Sequence, residues 1–175
     1  MAAPLCLVLL LRDPSFDREA LVRWPPPRVL RGVMLRAVAV TAGLALGVVC
    51  LDPAHAFGLV RARPWLWLLI SVAYPVLSVV PQELVFRSFF VHRYGPILGT
   101  EEAAVLVSAV AFAAAHLVLR NWFAVVLTLA GGLLFARTYL RTRSLPAVAW
   151  EHALYGVGLF TIGLGRYFVT RWVQP

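Results

Sequence analysis

An all-α, polytopic membrane bundle of about six transmembrane helices is the fold this 175-residue sequence predicts. Three observations carry that expectation. The chain is 61% hydrophobic and only 14% charged, with a mean hydropathy of +0.82. A soluble domain carries about 45–50% apolar and about 25% charged residues. Disorder needs the opposite composition, low hydrophobicity and dense charge. Next, four uncharged runs, 37–51, 64–82, 103–119 and 121–136, approach the ~20 residues that cross ~30 Å of hydrocarbon once flanking arginines snorkel. Finally, the sixteen basic residues are all arginine and fall mostly between those runs, at Arg12, Arg18, Arg23, Arg28, Arg31, Arg61, Arg63, Arg137, Arg141 and Arg143. That is how membrane proteins place charge at the bilayer surface. No basic stripe forms, so the lipid bilayer is the expected partner and nucleic acid is not.

Taken in order, the stretch 5–11 is apolar but too short to span and has no signal-peptide flanks, so it reads as an interfacial segment or part of a longer helix. Residues 13–27 are polar, end in Pro25-Pro26-Pro27, and read as a surface linker. Six helices follow, at about 30–51, 64–80, 81–95, 103–119, 121–141 and 145–165. Pro64 and Pro81 suit first helical turns. Gly95-Pro96 is a break, and Thr100-Glu101-Glu102 reads as a cap with acids in the first turn. The chain divides into an N-terminal interfacial and linker segment 1–28, a membrane-embedded domain 29–168 and a tail 169–175. Trp65, Trp67, Trp122, Trp150 and Trp172 lie near span ends and suit an interfacial belt. Small residues in 160–168 suggest close helix packing. Cys6 and Cys50 fit no metal or redox spacing. The arginines near 12–31 and at 137–143 both favour the cytoplasm, yet six spans would put them on opposite sides, so sidedness stays open.

Ionisable groups inside spanning segments are costly, at least ~2.5–3.5 kcal/mol each on insertion scales, and mark function by default. Here they are Glu83, Arg87, His116, Glu151 and His152. Glu83 and Arg87, four apart, share a helix face and can pair; the plain alternative is an ion pair that only locks helices. His116 has Phe112 one turn earlier on the same face. One carboxylate and two histidines from three apolar helices suit a buried water activated by a general base. They equally suit a two-His, one-carboxylate metal site. Glu101-Glu102 reads as helix-dipole chemistry, His55 as a loop residue, His92 as an interfacial helix end, and Asn121 as a minor polar candidate.

The sequences Gln82-Glu83-Leu84-Val85-Phe86-Arg87, Phe112-Ala113-Ala114-Ala115-His116 and Glu151-His152-Ala153-Leu154-Tyr155 resemble the three motifs of the CPBP family. These are CAAX-protease and bacteriocin-processing intramembrane proteases, also called ABI proteins. Their pattern is Glu-Glu-x-x-x-Arg, Phe-x-x-x-His and His-x-x-x-Asn, and the resemblance covers roughly residues 64–165. It implies peptide-bond hydrolysis within the membrane. Glu83 would be the retained motif acid, Arg87 its orienting partner, His116 the water-activating histidine, and His152 an oxyanion donor or metal ligand. Tyr155, Phe112 and Glu151 are candidates for substrate contact. A glutamic-type site needs no cofactor; the alternative is a divalent metal such as zinc on Glu83, His116 and His152.

Two positions depart from the pattern. Gln82 stands where the first glutamate is expected, and an amide cannot be a general base. Glu83 takes the role, or Glu151 supplies the acid, or Gln82 only positions water. Gly156 stands where asparagine is expected, with Tyr155 as a neighbouring donor. The resemblance looks closest to bacterial inner-membrane members paired with C-terminal sorting tags. It implies membrane-associated substrates such as prenylated tails, leader peptides or sorting anchors. A catalytically inactive scaffold or immunity-type binding protein keeps the fold without the chemistry; a transporter subunit is the remaining alternative.

Overall fold

A computed structural model describes residues 2–168, all in helices and short connections. Met1 and the tail 169–175, with Trp172, lie outside the described residues. The first helix, α1 (Ala2–Arg12), seats Cys6 and Leu10 against the body and turns Leu5, Val8 and Leu9 outward. The segment after it is not a free linker. Asp17 caps a 3-10 turn at Arg18–Leu21, and Phe16 and Ala20 join Leu10 in the main apolar cluster. Two small anchors in a charged stretch carry that burial, which is why composition hid it.

Helix α2 (Pro27–Leu51) starts on a proline, whose missing N–H costs nothing in a first turn. A 3-10 turn at Pro53–His55 holds His55, and α3 (Gly58–Ala62) follows. Next comes one 35-residue helix, α4 (Pro64–Leu98), where the sequence suggested two. Pro75 and Pro81 do not end it. The backbone widens into π turns at Pro75–Val79 and Leu84–Phe89. Such local π adjustment and neighbouring helices satisfy the groups a proline frees within a bilayer. The helix also runs through Gly95-Pro96 and stops at Gly99, with φ of +76°. His92 therefore lies inside α4, not at its end.

Thr100 caps α5 (Glu101–Ala115) by accepting from the Ala103 N–H at 3.1 Å, as expected. His116–Leu119 form a 3-10 turn, and Asn121 caps α6 (Trp122–Thr142). Ser144 caps α7 (Leu145–Ile162), which turns at Gly163. The small residues of 160–168 serve this reversal, not a helix stripe. A Cβ on Gly163, whose φ is +102°, would strike the His55 carbonyl, and one on Gly165 would strike Phe160.

Four helices are long and apolar enough to cross a membrane: Pro27–Leu51, Pro64–Leu98, Glu101–Leu119 and Trp122–Thr142. They expose leucines and valines such as Leu35, Val38, Leu69, Val72 and Val110. Of the six expected spans, two merge into α4. The last, α7, packs against α2, α4 and α6, and buries Glu151 and His152. α5 and α6 pack so closely that a Cβ on Gly132 would lie 3.0 Å from the Ala109 Cα.

The merger also resolves the charge asymmetry. The start of α2, the end of α4, the end of α6 and the start of α7 share one end of the bundle. There Ser144 Oγ donates to the Arg23 carbonyl, His92 pairs with Asp13 at 2.9 Å, and Arg36 reaches Thr138 at 3.4 Å. At the other end, Trp67 Nε1 donates to Thr161 at 2.9 Å, the Phe57 N–H to the Ile162 carbonyl, and Arg166 pairs with Asp52. Trp67 is thus a tie between helices; Trp65 and Trp122 remain exposed. Arg23, Arg28 and Arg31 consequently share an end with Arg137, Arg141 and Arg143.

Candidate active site

Glu83 lies 19 residues from the start of α4 and 15 from its end, and its side chain is fully buried with that of Arg87. The two sit 3.3 Å apart, Oε2 to Nε, as an ion pair. Arg87 also donates to the Phe86 carbonyl and Ser108 Oγ at 3.3 Å and to the Gly132 carbonyl at 3.5 Å. Its guanidinium lies 4.8 Å over the Phe112 ring. A buried charge persists only when paired and hydrogen-bonded, and this arginine joins α4, α5 and α6 by being both.

The other Glu83 oxygen, Oε1, accepts from His152 Nδ1 at 2.7 Å. A carboxylate can only accept, so the proton sits on Nδ1 and Nε2 faces away. Nε2 is 3.0 Å from the Tyr74 hydroxyl. The imidazole stacks on Phe135 at 4.6 Å and meets Phe112 edge-on at 5.5 Å. Ring packing and two hydrogen bonds fix its orientation.

His116 also packs against Phe112, ring centroids 4.7 Å apart. Its Nδ1 donates to the Phe112 carbonyl at 2.8 Å, leaving the lone pair on Nε2. His116, His152, Tyr74, Gln82 and Gly156 all line one cavity of about 480 Å³ with mainly apolar walls. Gln82 occupies the wall, bonded to Ser78 Oγ at 2.7 Å. Glu83, one residue on, does not line the cavity and reaches it only through His152. Glu83 is central in one long α4 instead of near the start of a short helix, and there it meets His152.

A family model described as Type II CAAX prenyl endopeptidase Rce1-like matches residues 63–158. The chain belongs to this CAAX protease family. No curated protein and no solved structure matches it. The family is one of membrane proteases, and the apolar helices make this chain an integral membrane member.

Two other candidates in this CAAX-type chain, Glu151 and Asn121, fall outside the cavity. Glu151 is fully buried and turns to α2, where Arg36 holds its Oε1 from Nη2 at 2.5 Å and from Nε at 3.1 Å. It is a helix tie and does not stand in for the acid missing at Gln82. Asn121 is spent on its cap, accepting from the Phe123 N–H at 3.0 Å. Tyr155 lines the cavity and packs on Phe135, but the hydroxyl on His152 belongs to Tyr74. Sequence reasoning missed Tyr74, a tyrosine in an apolar run with no charged neighbour. The signal lay in Gly156, whose missing side chain demands that something else fill its place. A zinc-type metal does not fit this arrangement: both His152 nitrogens are engaged by protein groups, and no three His, Cys, Asp or Glu gather as a metal-holding set among the described residues.

Proposed function

We propose that the chain is an intramembrane endopeptidase that hydrolyses a peptide bond of a membrane-associated protein or peptide with a water activated by a Glu/His arrangement. The observation that carries this reading is the convergence of His116 and His152 on one apolar cavity, with the Glu83 carboxylate behind His152. His116 Nε2 takes the water's proton, since its Nδ1 is committed to the Phe112 carbonyl. Glu83 holds His152 in a fixed tautomer and direction, and Arg87 holds Glu83. In a low-dielectric cavity such fixed dipoles act strongly on charge that develops during attack. The basic end of the bundle faces the cytoplasm, and the apolar cavity takes an acyl or prenyl chain beside the scissile bond.

The test is cleavage in liposomes by the full chain and its His116→Gln variant. The substrates are a prenylated C-terminal peptide, the same peptide without its lipid, and a peptide on a transmembrane anchor. His116→Gln is preferable to Glu83→Gln because it leaves the buried ion pair whole. The expected result is cleavage of at least one lipid- or membrane-anchored substrate, with a ~10²–10⁴-fold loss on removing His116. Wild type without cleavage of any of them overturns the reading. The second reading is an inactive scaffold, favoured by one observation: the residue on the cavity wall is the amide Gln82 and not the acid Glu83. A scaffold keeps partner binding in His116→Gln and cleaves nothing.

A further inference from the structure

The space beside Gly156 is filled from another helix. A Cβ built on Gly156 would enter the Tyr74 ring, 2.5 Å from its hydroxyl oxygen and 2.7 Å from Cζ. Tyr74 belongs to α4, and its ring is clamped. The His152 imidazole meets it edge-on at 6.0 Å and Phe160 meets it edge-on at 5.6 Å. Its hydroxyl sits 3.0 Å from His152 Nε2, on the wall of the cavity that also holds His116. A glycine one turn after His152 and a tyrosine about eighty residues earlier are therefore one fitted unit.

We infer that the Tyr74 hydroxyl is the hydrogen-bond donor that receives the oxyanion formed when the peptide carbonyl is attacked, with Glu83 and His152 as the chain that aims it, and that position 156 is glycine because the phenol occupies its space. This rests on the endopeptidase reading. The three groups run in line: Glu83 Oε1 to His152 Nδ1 at 2.7 Å, then Nε2 to the Tyr74 oxygen at 3.0 Å. With no proton on Nε2, the phenol donates to the ring. With a proton there, the ring donates to the phenol oxygen, and the phenolic O–H turns into the cavity.

The step balances without a redox partner. A bond forms from the water oxygen to the carbonyl carbon, and the water's proton goes to His116 Nε2. The carbonyl π pair moves to its oxygen, and the Tyr74 O–H turns from His152 Nε2 to donate to that oxygen without giving up its proton. On collapse the C–N bond breaks, and the proton on His116 passes to the leaving nitrogen. The ring is held by edge-on contacts with His152 and Phe160, so only the O–H has to turn at that moment. The Tyr155 hydroxyl makes no bond to His152 and is not needed for this role.

The experiment compares full-length wild type, Tyr74→Phe, Tyr74→Ala, Tyr74→Ala/Gly156→Asn and Tyr74→Ala/Gly156→Leu in liposomes, with thermal unfolding in parallel. Phenylalanine keeps the ring in its slot, so Tyr74→Phe should unfold with wild type while kcat falls ~10²–10³-fold and KM stays within about threefold. Removing the ring opens the space for a side chain at 156. Asparagine there offers an amide N–H one turn from His152, and leucine has the same shape without it. The Asn double variant should exceed the Leu double variant in kcat by about tenfold or more. Tyr74→Phe with wild-type kcat, or a loss seen only in KM, overturns the inference. Should Tyr74→Phe not fold, equal kcat in the Asn and Leu double variants overturns it. A wild type that cleaves nothing is a different failure, of the endopeptidase reading itself, and it removes this inference with it.

Discussion

The guanidinium of Arg36 on α2 reaches the carboxylate of Glu151 on α7 at 2.5 Å, and Glu151 has no exposed side-chain surface. Glu151 is the immediate neighbour of His152, yet the two point to different partners: one to a helix tie, one to the cavity. Arg36→Met strips a buried carboxylate of its partner. It should cost about 3 kcal/mol, the low end for a broken buried pair, because Arg36 is itself partly exposed. Glu151→Gln keeps an acceptor and should cost less. Thermal unfolding of both variants in detergent checks the order, and cleavage by Glu151→Gln should persist.

The Glu83–Arg87 pair makes a sharper case, since both partners are wholly buried. Arg87→Met should destabilise by about 3–5 kcal/mol. Glu83→Gln should do likewise and also lose cleavage. In the double variant Glu83→Gln/Arg87→Met neither charge is left alone, so stability should recover by ~1–3 kcal/mol against the sum of the singles. Cleavage should not recover with it, because His152 still lacks its carboxylate.

Helix α5 and helix α6 touch through Gly132, whose carbonyl also accepts from Arg87. Gly132→Val places a branched side chain where even a Cβ lies 3.0 Å from the Ala109 Cα and 3.3 Å from its carbonyl oxygen. That backbone cannot move aside cheaply. The expected cost is about 1–3 kcal/mol. Gly47, which has open space beside it, is the control position: Gly47→Ala should be neutral or mildly stabilising.

Outside the membrane, two carboxylates give the fold an acid limit. The Ser15 hydroxyl, then His92, holds Asp13 well below the usual carboxylate range. His55, then Arg166, lowers Asp52. A carboxyl whose folded value is depressed adds stability above its unfolded value, ~3.9, and loses it as pH falls through the lowered one. Unfolding temperature in detergent should therefore be insensitive to these two groups above about pH 5 and should decline below about pH 4. In Asp13→Asn/Asp52→Asn the acid-side decline should become shallower. An unchanged slope would mean other groups set the limit.

The shared end of the two arginine clusters predicts topology. Arg28 and Arg141 line one cleft between α2 and α6, and the distribution of positive charge predicts the cytoplasmic side for both. Single cysteines replacing Arg141 and Arg61 in a Cys6→Ala/Cys50→Ala background should label oppositely with a membrane-impermeant thiol reagent added to whole cells. Position 61 should react and position 141 should not. Equal labelling would sink the assignment.

Much of this was legible in the residues. Composition and charge spacing pointed to a helical membrane bundle, and the cap at Thr100 stood in plain view. Glu83, Arg87, His116 and His152 stood out in the sequence as ionisable groups costly in lipid, and the structure brings them together around Phe112. Three things were hidden. Pro81 resembled a helix start because local rules do not include a π turn that absorbs a proline within a packed bundle. Glu151 resembled a reserve acid because no sequence spacing links it to Arg36, 115 residues away. Tyr74 was invisible because a tyrosine in an apolar run is ordinary, and its importance is set by the emptiness of Gly156 on another helix.

The two ion pairs built on a buried glutamate also differ in when they can form during biosynthesis. Glu83 and Arg87 are four residues apart, so they neutralise each other as soon as α4 winds, and the insertion machinery meets a segment already compensated. Glu151 has no such companion in its own helix. It must wait for Arg36, 115 residues earlier in the chain, so its charge is compensated only when α7 docks onto α2.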